Sequence, residues 1–177
     1  MAAEERTSVR ALVSAARPLQ WTKNVFVFAG ILFSVSIDEP RAWALTLLTF
    51  GAFCAASSAA YLVNDVLDAE EDRAHPVKRR RPIASGQLDP RVALVAAATL
   101  AVAAAALAVP VGWEVVALTL GFLGLQLAYS LRLKHIVLLD VIVISILFVL
   151  RAAAGGGERW RRSVSGDGSC GKGMGMG

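Results

Sequence analysis

Cysteine is scarce in this chain: there are two in 177 residues, and neither Cys54 nor Cys170 has a CxxC spacing or a nearby histidine. That excludes a disulfide framework and a zinc-ligand set, and leaves Cys54 as a small core residue. Charge is scarce too. Only 18% of the residues are Asp, Glu, Lys or Arg, whereas a soluble domain carries about a quarter. Most of the charges fall in a few blocks, so long stretches have none; the run from Ala42 to Val63 is twenty-two residues without a formal charge. With 56% of the chain hydrophobic, a soluble globular class is excluded, and the expectation is an all-α, polytopic membrane protein.

Crossing about 30 Å of hydrocarbon at 1.5 Å per residue takes roughly 20 residues. Five segments are candidates. Ala42 to Val63 fits well, and Val92 to Val109 is apolar apart from Thr99. Val111 to Ser130 carries one acid, Glu114, and Ile136 to Ala154 includes Asp140 and Arg151. Val25 to Ile37 is only thirteen residues, so as a retained helix it extends back through Trp21, Thr22, Lys23 and Asn24. Its length also suits a signal-peptide core, but the polar WTKN abutting the apolar run argues for a helix whose start is buried in protein. Gly51, Ala52, Ala55, Ala56, Ser57 and Ser58, like the ten alanines between Val92 and Val109, read as close helix packing.

Basic residues set the orientation. Arg6, Arg10, Arg17 and Lys23 precede the first span; Arg73, Lys78, Arg79, Arg80, Arg81 and Arg91 lie between the second and third; Arg132 and Lys134 lie between the fourth and fifth. The intervening connections carry one arginine, Arg41, and none in PVGW. This alternation places the N-terminus and the loop after Val63 in the cytoplasm, in an inner or plasma membrane. The chain divides into a cytoplasmic N-terminal segment (1–17), a membrane domain (18–154) and a glycine-rich tail (155–177). Nine of the fifteen glycines fall in those last twenty-three residues, alongside Arg159, Arg161, Arg162 and Lys172. No apolar periodicity survives there, and its basic charge falls on the wrong side. The expectation is a disordered tail supplied by a shifted reading frame from near Gly156; a flexible extracellular tail is the alternative.

The densest charge is NDVLDAEEDRAHPVKRRRPIASG, Asn64 to Gly86. If the second helix continues past Val63, at 100° per residue Asp65, Asp68 and Asp72 fall within an arc of about 60°, with Asn64 at its edge and Glu70 pointing away. Stacked carboxylates repel one another, and Mg²⁺, which takes carboxylates together with water and phosphate oxygens, would relieve the repulsion. A solvated acidic helix end explains the spacing equally well. Lys78 and Arg81 follow closely and suit phosphate oxygens. Pro76 and Pro82 block a continuing helix, and Gly86 permits a tight turn. Arg79 and Arg80 are accounted for as a topological signal beside anionic lipid heads.

Through Asn64, Asp65, Asp68 and Asp72, NDVLDAEED resembles the N-D-x-x-D-x-x-x-D pattern of the UbiA-type intramembrane prenyltransferases. RPLQWTKNVFVFAG, YLVNDVLDAEEDRAHPVKRRRPIASG and YSLRLKHIVLLDV resemble its decaprenyl-phosphate phosphoribosyltransferase branch, over roughly residues 17 to 156. Aromatic-ring prenyltransferases carry a related ending to the second stretch. The resemblance implies a nine-helix bundle around a cavity open to cytoplasm and lipid, of which this chain holds five spans. It implies Mg²⁺-dependent transfer of phosphoribosyl from phosphoribosyl diphosphate to a polyprenyl phosphate, making polyprenyl-phosphoryl 5-phosphoribose for cell-wall arabinan. Asp65, Asp68 and Asp72 would hold the metal and act in catalysis. Asn64, Lys78, Arg81, Lys23, Asn24, Tyr129 and Lys134 would contact substrate. For Lys23 a snorkelling role at the interface weighs equally, and Tyr129 also fits an interfacial aromatic belt. Asp140 is a further cavity candidate, because an acid inside a span is costly unless it faces the bundle interior.

The family has a second acidic motif in later helices, and this chain has none. The expectation is a truncated relative, inactive alone unless a homo-oligomer supplies the second acidic face. The partners expected are the two substrates and the lipid bilayer, and not nucleic acid. The competing readings are a UbiA-type enzyme with an aromatic or other acceptor, a non-catalytic membrane module that retains the motif, and an anion transporter, the last disfavoured by the lack of an inverted repeat.

Overall fold

The computed structural model describes residues 9–28, 31 and 38–131. Within them the chain is all-helical. Helix α1 (Val9–Ala16) is followed by a 3₁₀ segment, Pro18–Phe28. Then come α2 (Pro40–Leu67), the short α3 (Ala69–Ala74), a basic 3₁₀ turn (Lys78–Arg80), α4 (Pro90–Ala108) and α5 (Trp113–Leu131). Helices α2, α4 and α5 are each long and apolar enough to cross a membrane. They correspond to three of the five expected spans. The fifth, with Asp140 and Lys134, lies outside the described residues, as do most of the first and the glycine-rich tail. Where the first span was expected to begin as an α-helix, the chain instead winds as a 3₁₀ segment through Trp21, Lys23 and Asn24.

Local sequence explains the boundaries. Pro40 and Pro90 open α2 and α4, where a missing N–H costs nothing. The Asp89 carboxylate caps α4 by accepting the Arg91 N–H at 2.7 Å. Inside the apolar helices, Thr46, Thr49 and Thr119 donate their hydroxyls to carbonyls one turn back, at 2.8, 2.9 and 2.7 Å, so these polar side chains need no outside partner.

Helix α2 is the interior helix. It packs most extensively on α4, then on α5, the 3₁₀ segment and α1. In its most apolar stretch 56% of residues are buried by protein, against 22% for each of α4 and α5. Small side chains let the helices approach: Ala52 and Ala56 on α2, Ala104 and Ala108 on α4, all wholly enclosed. Phe53 and Phe122 meet edge to face at 5.3 Å between centroids. At 28 residues, α2 is about 42 Å long, against about 30 Å of hydrocarbon. Its last turns, from Asn64 onward, therefore extend past the apolar slab. Val63 of α2, Leu94 of α4 and Leu127 of α5 line one open apolar groove of about 330 Å³. The C-terminal end of α2, the start of α4 and the end of α5 thus lie on the same side.

One packing expectation changes. A Cβ at Gly51 would meet only the Leu107 side chain, at an ordinary 3.6 Å, so Gly51 is not required for close approach. Gly51→Ala should leave the melting temperature unchanged or raise it by the equivalent of up to about 1 kcal/mol. Ala56→Leu, overfilling an enclosed position, should cost about 1–3 kcal/mol. Thermal unfolding of the detergent-solubilised protein reads both.

Candidate functional site

At the end of α2 the backbone turns. Asp68 closes α2 with φ −90° and ψ 0°, and α3 restarts at Ala69. The helix is interrupted where it was expected to continue. Three carboxylates therefore do not converge: among the described residues no group of three His, Cys, Asp or Glu side chains is placed to hold a metal. Two of the acids do come together. Asp65 and Asp72 are 2% and 1% exposed, and a single guanidinium nitrogen, Nη1 of Arg81, donates to Asp65 Oδ1 at 3.2 Å and to Asp72 Oδ2 at 2.7 Å. Asp68 is buried as well and accepts from Asn64 Nδ2 at 3.0 Å. Glu70 points outward and pairs with Arg73 on its own helix.

The loop after the basic turn delivers Arg81. Ser85 N–H donates to Arg81 O at 2.8 Å, and Leu88 N–H to Pro82 O at 3.0 Å. Gly86, at φ +77°, takes the tight turn for which glycine was expected. This folds Ile83 and Leu88 into the core cluster with Leu62 and Ala93, so the arginine is anchored by apolar burial two and seven residues further on. Lys78 stays exposed on the basic turn with Arg79 and Arg80; Arg81, not Lys78, enters the acidic site.

A second arginine completes the network, and sequence reasoning missed it. Arg17 Nη2 donates to Asp65 Oδ1 at 2.6 Å, and its guanidinium lies 5.0 Å from the centre of the Tyr61 ring. Arg17 takes a left-handed backbone, φ +51°, a strained conformation for a non-glycine residue. The signal available was its place at the head of the motif RPLQWTKN, in which only Lys23 and Asn24 are expected as site residues. Ser58 ties this segment down: its hydroxyl donates to Ala16 O at 2.9 Å and accepts from Trp21 Nε1 at 3.0 Å. Of the other expected residues, Asn24 is wholly buried, with Nδ2 at 3.3 Å from Cys54 Sγ and 3.4 Å from Ser57 Oγ. Lys23 is exposed, Tyr129 is half-buried against the Phe53–Phe122 cluster, and Lys134 lies outside the described residues.

Two buried carboxylates are the donor chemistry that Mg²⁺ takes when phosphate oxygens and water complete its shell. Asp65 and Asp72 would supply two carboxylate oxygens, and each now pairs with an arginine, Arg81 with both and Arg17 with Asp65.

Three apolar helices long enough to cross a membrane, with buried, arginine-paired acids at one end, define an integral membrane protein. The chain belongs to the UbiA prenyltransferase family, whose pattern matches residues 5–157. It is 40% identical over 152 residues to the decaprenyl-phosphate phosphoribosyltransferase of Mycolicibacterium smegmatis, covering 84% of this chain and 48% of that protein. The Corynebacterium glutamicum protein of the same name is 39% identical over 149 residues, covering 82% and 45%. A 4-hydroxybenzoate octaprenyltransferase from Polaromonas is 32% identical over 126 residues, covering 71% and 44%. The chain spans about half the length of these curated relatives.

Ser58→Ala removes the post that holds the Arg17 segment. It should cost about 1–2 kcal/mol in unfolding and red-shift the fluorescence of Trp21 in a variant with the other tryptophans replaced by phenylalanine. Denaturant unfolding and emission spectra check the two effects.

Proposed function

We propose that this chain carries the diphosphate-binding half of a phosphoribosyltransferase that moves phosphoribosyl from phosphoribosyl diphosphate to a polyprenyl phosphate such as decaprenyl phosphate, at the cytoplasmic face of the membrane. The observation that carries the reading is the buried Asp65–Arg81–Asp72 bridge at the end of a membrane-spanning helix. Acids buried by protein cost solvation even when paired, and that cost is the ground for reading them as functional. The names of the relatives at about 40% identity support the donor and acceptor.

In this reaction the bond from the anomeric carbon to the diphosphate oxygen breaks, and a bond to a phosphate oxygen of the lipid forms. The carbon gains oxocarbenium-like character as the leaving group departs. Mg²⁺ would supply positive charge to offset the negative charge that builds on that group. Asp65 and Asp72 would hold the ion, and Arg81 would meet anionic oxygens of the diphosphate. Asp68 and Asn64 brace the turn between the two acids. The polyprenyl chain stays in the lipid, and only its phosphate reaches the site. The basic turn at Lys78, Arg79 and Arg80 faces the cytoplasm and raises the local concentration of the anionic donor.

The Polaromonas relative favours a second reading, prenyl transfer to an aromatic acceptor. The test separates the two. In a chimera joining residues 1–156 to the part of the M. smegmatis relative that this chain does not cover, membranes given labelled phosphoribosyl diphosphate and decaprenyl phosphate should form the lipid-linked product. Asp65→Asn and Asp72→Asn should each lower turnover by about a hundredfold or more, and Glu70→Gln should leave it unchanged. Similar mild effects at all three positions would mark them as solvated helix-end charges. Product formed only from a prenyl diphosphate and 4-hydroxybenzoate would favour the aromatic reading.

A further inference from the structure

Asp65 and Asp72 are already paired with arginines without a ligand. Asp65 and Asp72 face Arg17 and Arg81, two carboxylates against two guanidiniums, linked in the order Arg17, Asp65, Arg81, Asp72 by contacts of 2.6, 3.2 and 2.7 Å. A cation entering alone must push guanidiniums off their carboxylates and leave positive charge unpaired. A polyanion entering alone must face two buried carboxylates. If both enter together, the carboxylates turn to the cation and the guanidiniums to the anion, and every charge keeps an opposite partner.

Arg17 is built for that exchange. Its side chain is 28% exposed, against 2% for Asp65, so it sits on the open side of the acid. The Tyr61 ring beneath it attracts the guanidinium independently of Asp65. Its left-handed backbone persists only because the surroundings over-determine it: Arg17 N–H donates to Ser14 O at 3.3 Å, its own carbonyl accepts from Gln20 N–H at 2.9 Å, and Ser58 holds Ala16. The main chain is fixed while the side chain has two places to go.

Resting on the diphosphate-binding reading above, we propose that Arg17 is a positioning residue that makes Mg²⁺ and diphosphate bind cooperatively, by moving from Asp65 to a phosphate oxygen when both arrive. The coupling is reciprocal, each ligand tightening the other by the same factor.

The test uses the full chain in lipid nanodiscs, with inorganic diphosphate and Mg²⁺ as the probes. Isothermal titration gives the affinity for diphosphate with and without Mg²⁺, and for Mg²⁺ alone, and each variant's melting temperature is recorded alongside. Comparing variants at one Mg²⁺ concentration cancels the association of the two ions in solution. In Arg17→Gln, Mg²⁺ alone should bind no more weakly, since Asp65 loses one of its two arginine partners, while the enhancement of diphosphate binding by Mg²⁺ should fall about tenfold. Arg17→Lys, which keeps the charge, should restore most of it. Tyr61→Leu, which removes the ring and leaves the ion pair, should lower the enhancement about threefold, and it decides the matter where Arg17→Gln does not fold. A purely structural role would lower the melting temperature and leave the enhancement untouched. An enhancement unchanged in folded Arg17→Gln or Tyr61→Leu overturns the coupling while the diphosphate-binding reading stands. No binding of diphosphate to the unaltered chain with Mg²⁺ present overturns both.

Discussion

A guanidinium shared between two buried carboxylates governs this end of the molecule. Asp65 and Asp72 belong to different helices, α2 and α3, separated by the turn at Asp68. Removed from water and placed side by side, they would repel and force the helices apart. Arg81 prevents this by donating to both. Burying the acids therefore requires Arg81 at one particular point, and that requirement reaches outward. The loop from Arg81 to Leu88 must fold back, so Ile83 and Leu88 enter the core and Gly86 takes its left-handed turn. Taking one partner from a buried ion pair typically costs about 3–5 kcal/mol, more than any single packing contact nearby supplies.

The same constraint links the membrane helices to the site. Only a helix longer than the apolar slab can be enclosed among other helices along its length and still present acids at the water. Helix α2 meets both conditions with 28 residues. Its small side chains, Ala52, Ala56 and Ala59, allow α4 and α5 to close around it. The segment carrying Arg17 is then laid across the end of α2 and fixed by Ser58 and Trp21. Helix packing, loop anchoring and the hydrogen-bonded N-terminal segment all bring positive charge to Asp65.

Much of this was legible in the residues. Long charge-free runs identify α2, α4 and α5, because a membrane imposes a length and excludes charge. The motif from Asn64 to Asp72 marked the site, and the outward direction of Glu70 followed from helical spacing. The interruption at Asp68 was not legible, because helical spacing assumes a continuous helix, and a ψ near 0° at one residue redirects all that follow. Arg17 was missed for a related reason. Its partner lies forty-eight positions away, and no local periodicity reports such a contact. Lys78 and Arg81 looked equivalent as bases near the acids; Pro82 and the buried Ile83 separate them, by carrying Arg81 inward and leaving Lys78 in water. Asn24 stood in a stretch of motif beside Lys23, and its complete burial against Cys54 and Ser57 was not legible, because those partners lie about thirty positions away.

The central claim is that Asp65, Arg81 and Asp72 stand or fall as one unit, and a double-mutant cycle measures it. Arg81→Gln, Asp72→Asn and the double variant are unfolded thermally in the same detergent, and the interaction free energy is the departure from additivity. If Arg81 holds the acids together, removing it leaves Asp72 buried without its arginine while Asp65 keeps Arg17, and neutralising Asp72 as well relieves part of that cost. The account predicts an interaction of about 2 kcal/mol, with the double variant more stable than the sum of the single losses implies. Losses that add to within about 0.5 kcal/mol would contradict it, since independent residues behave in that way.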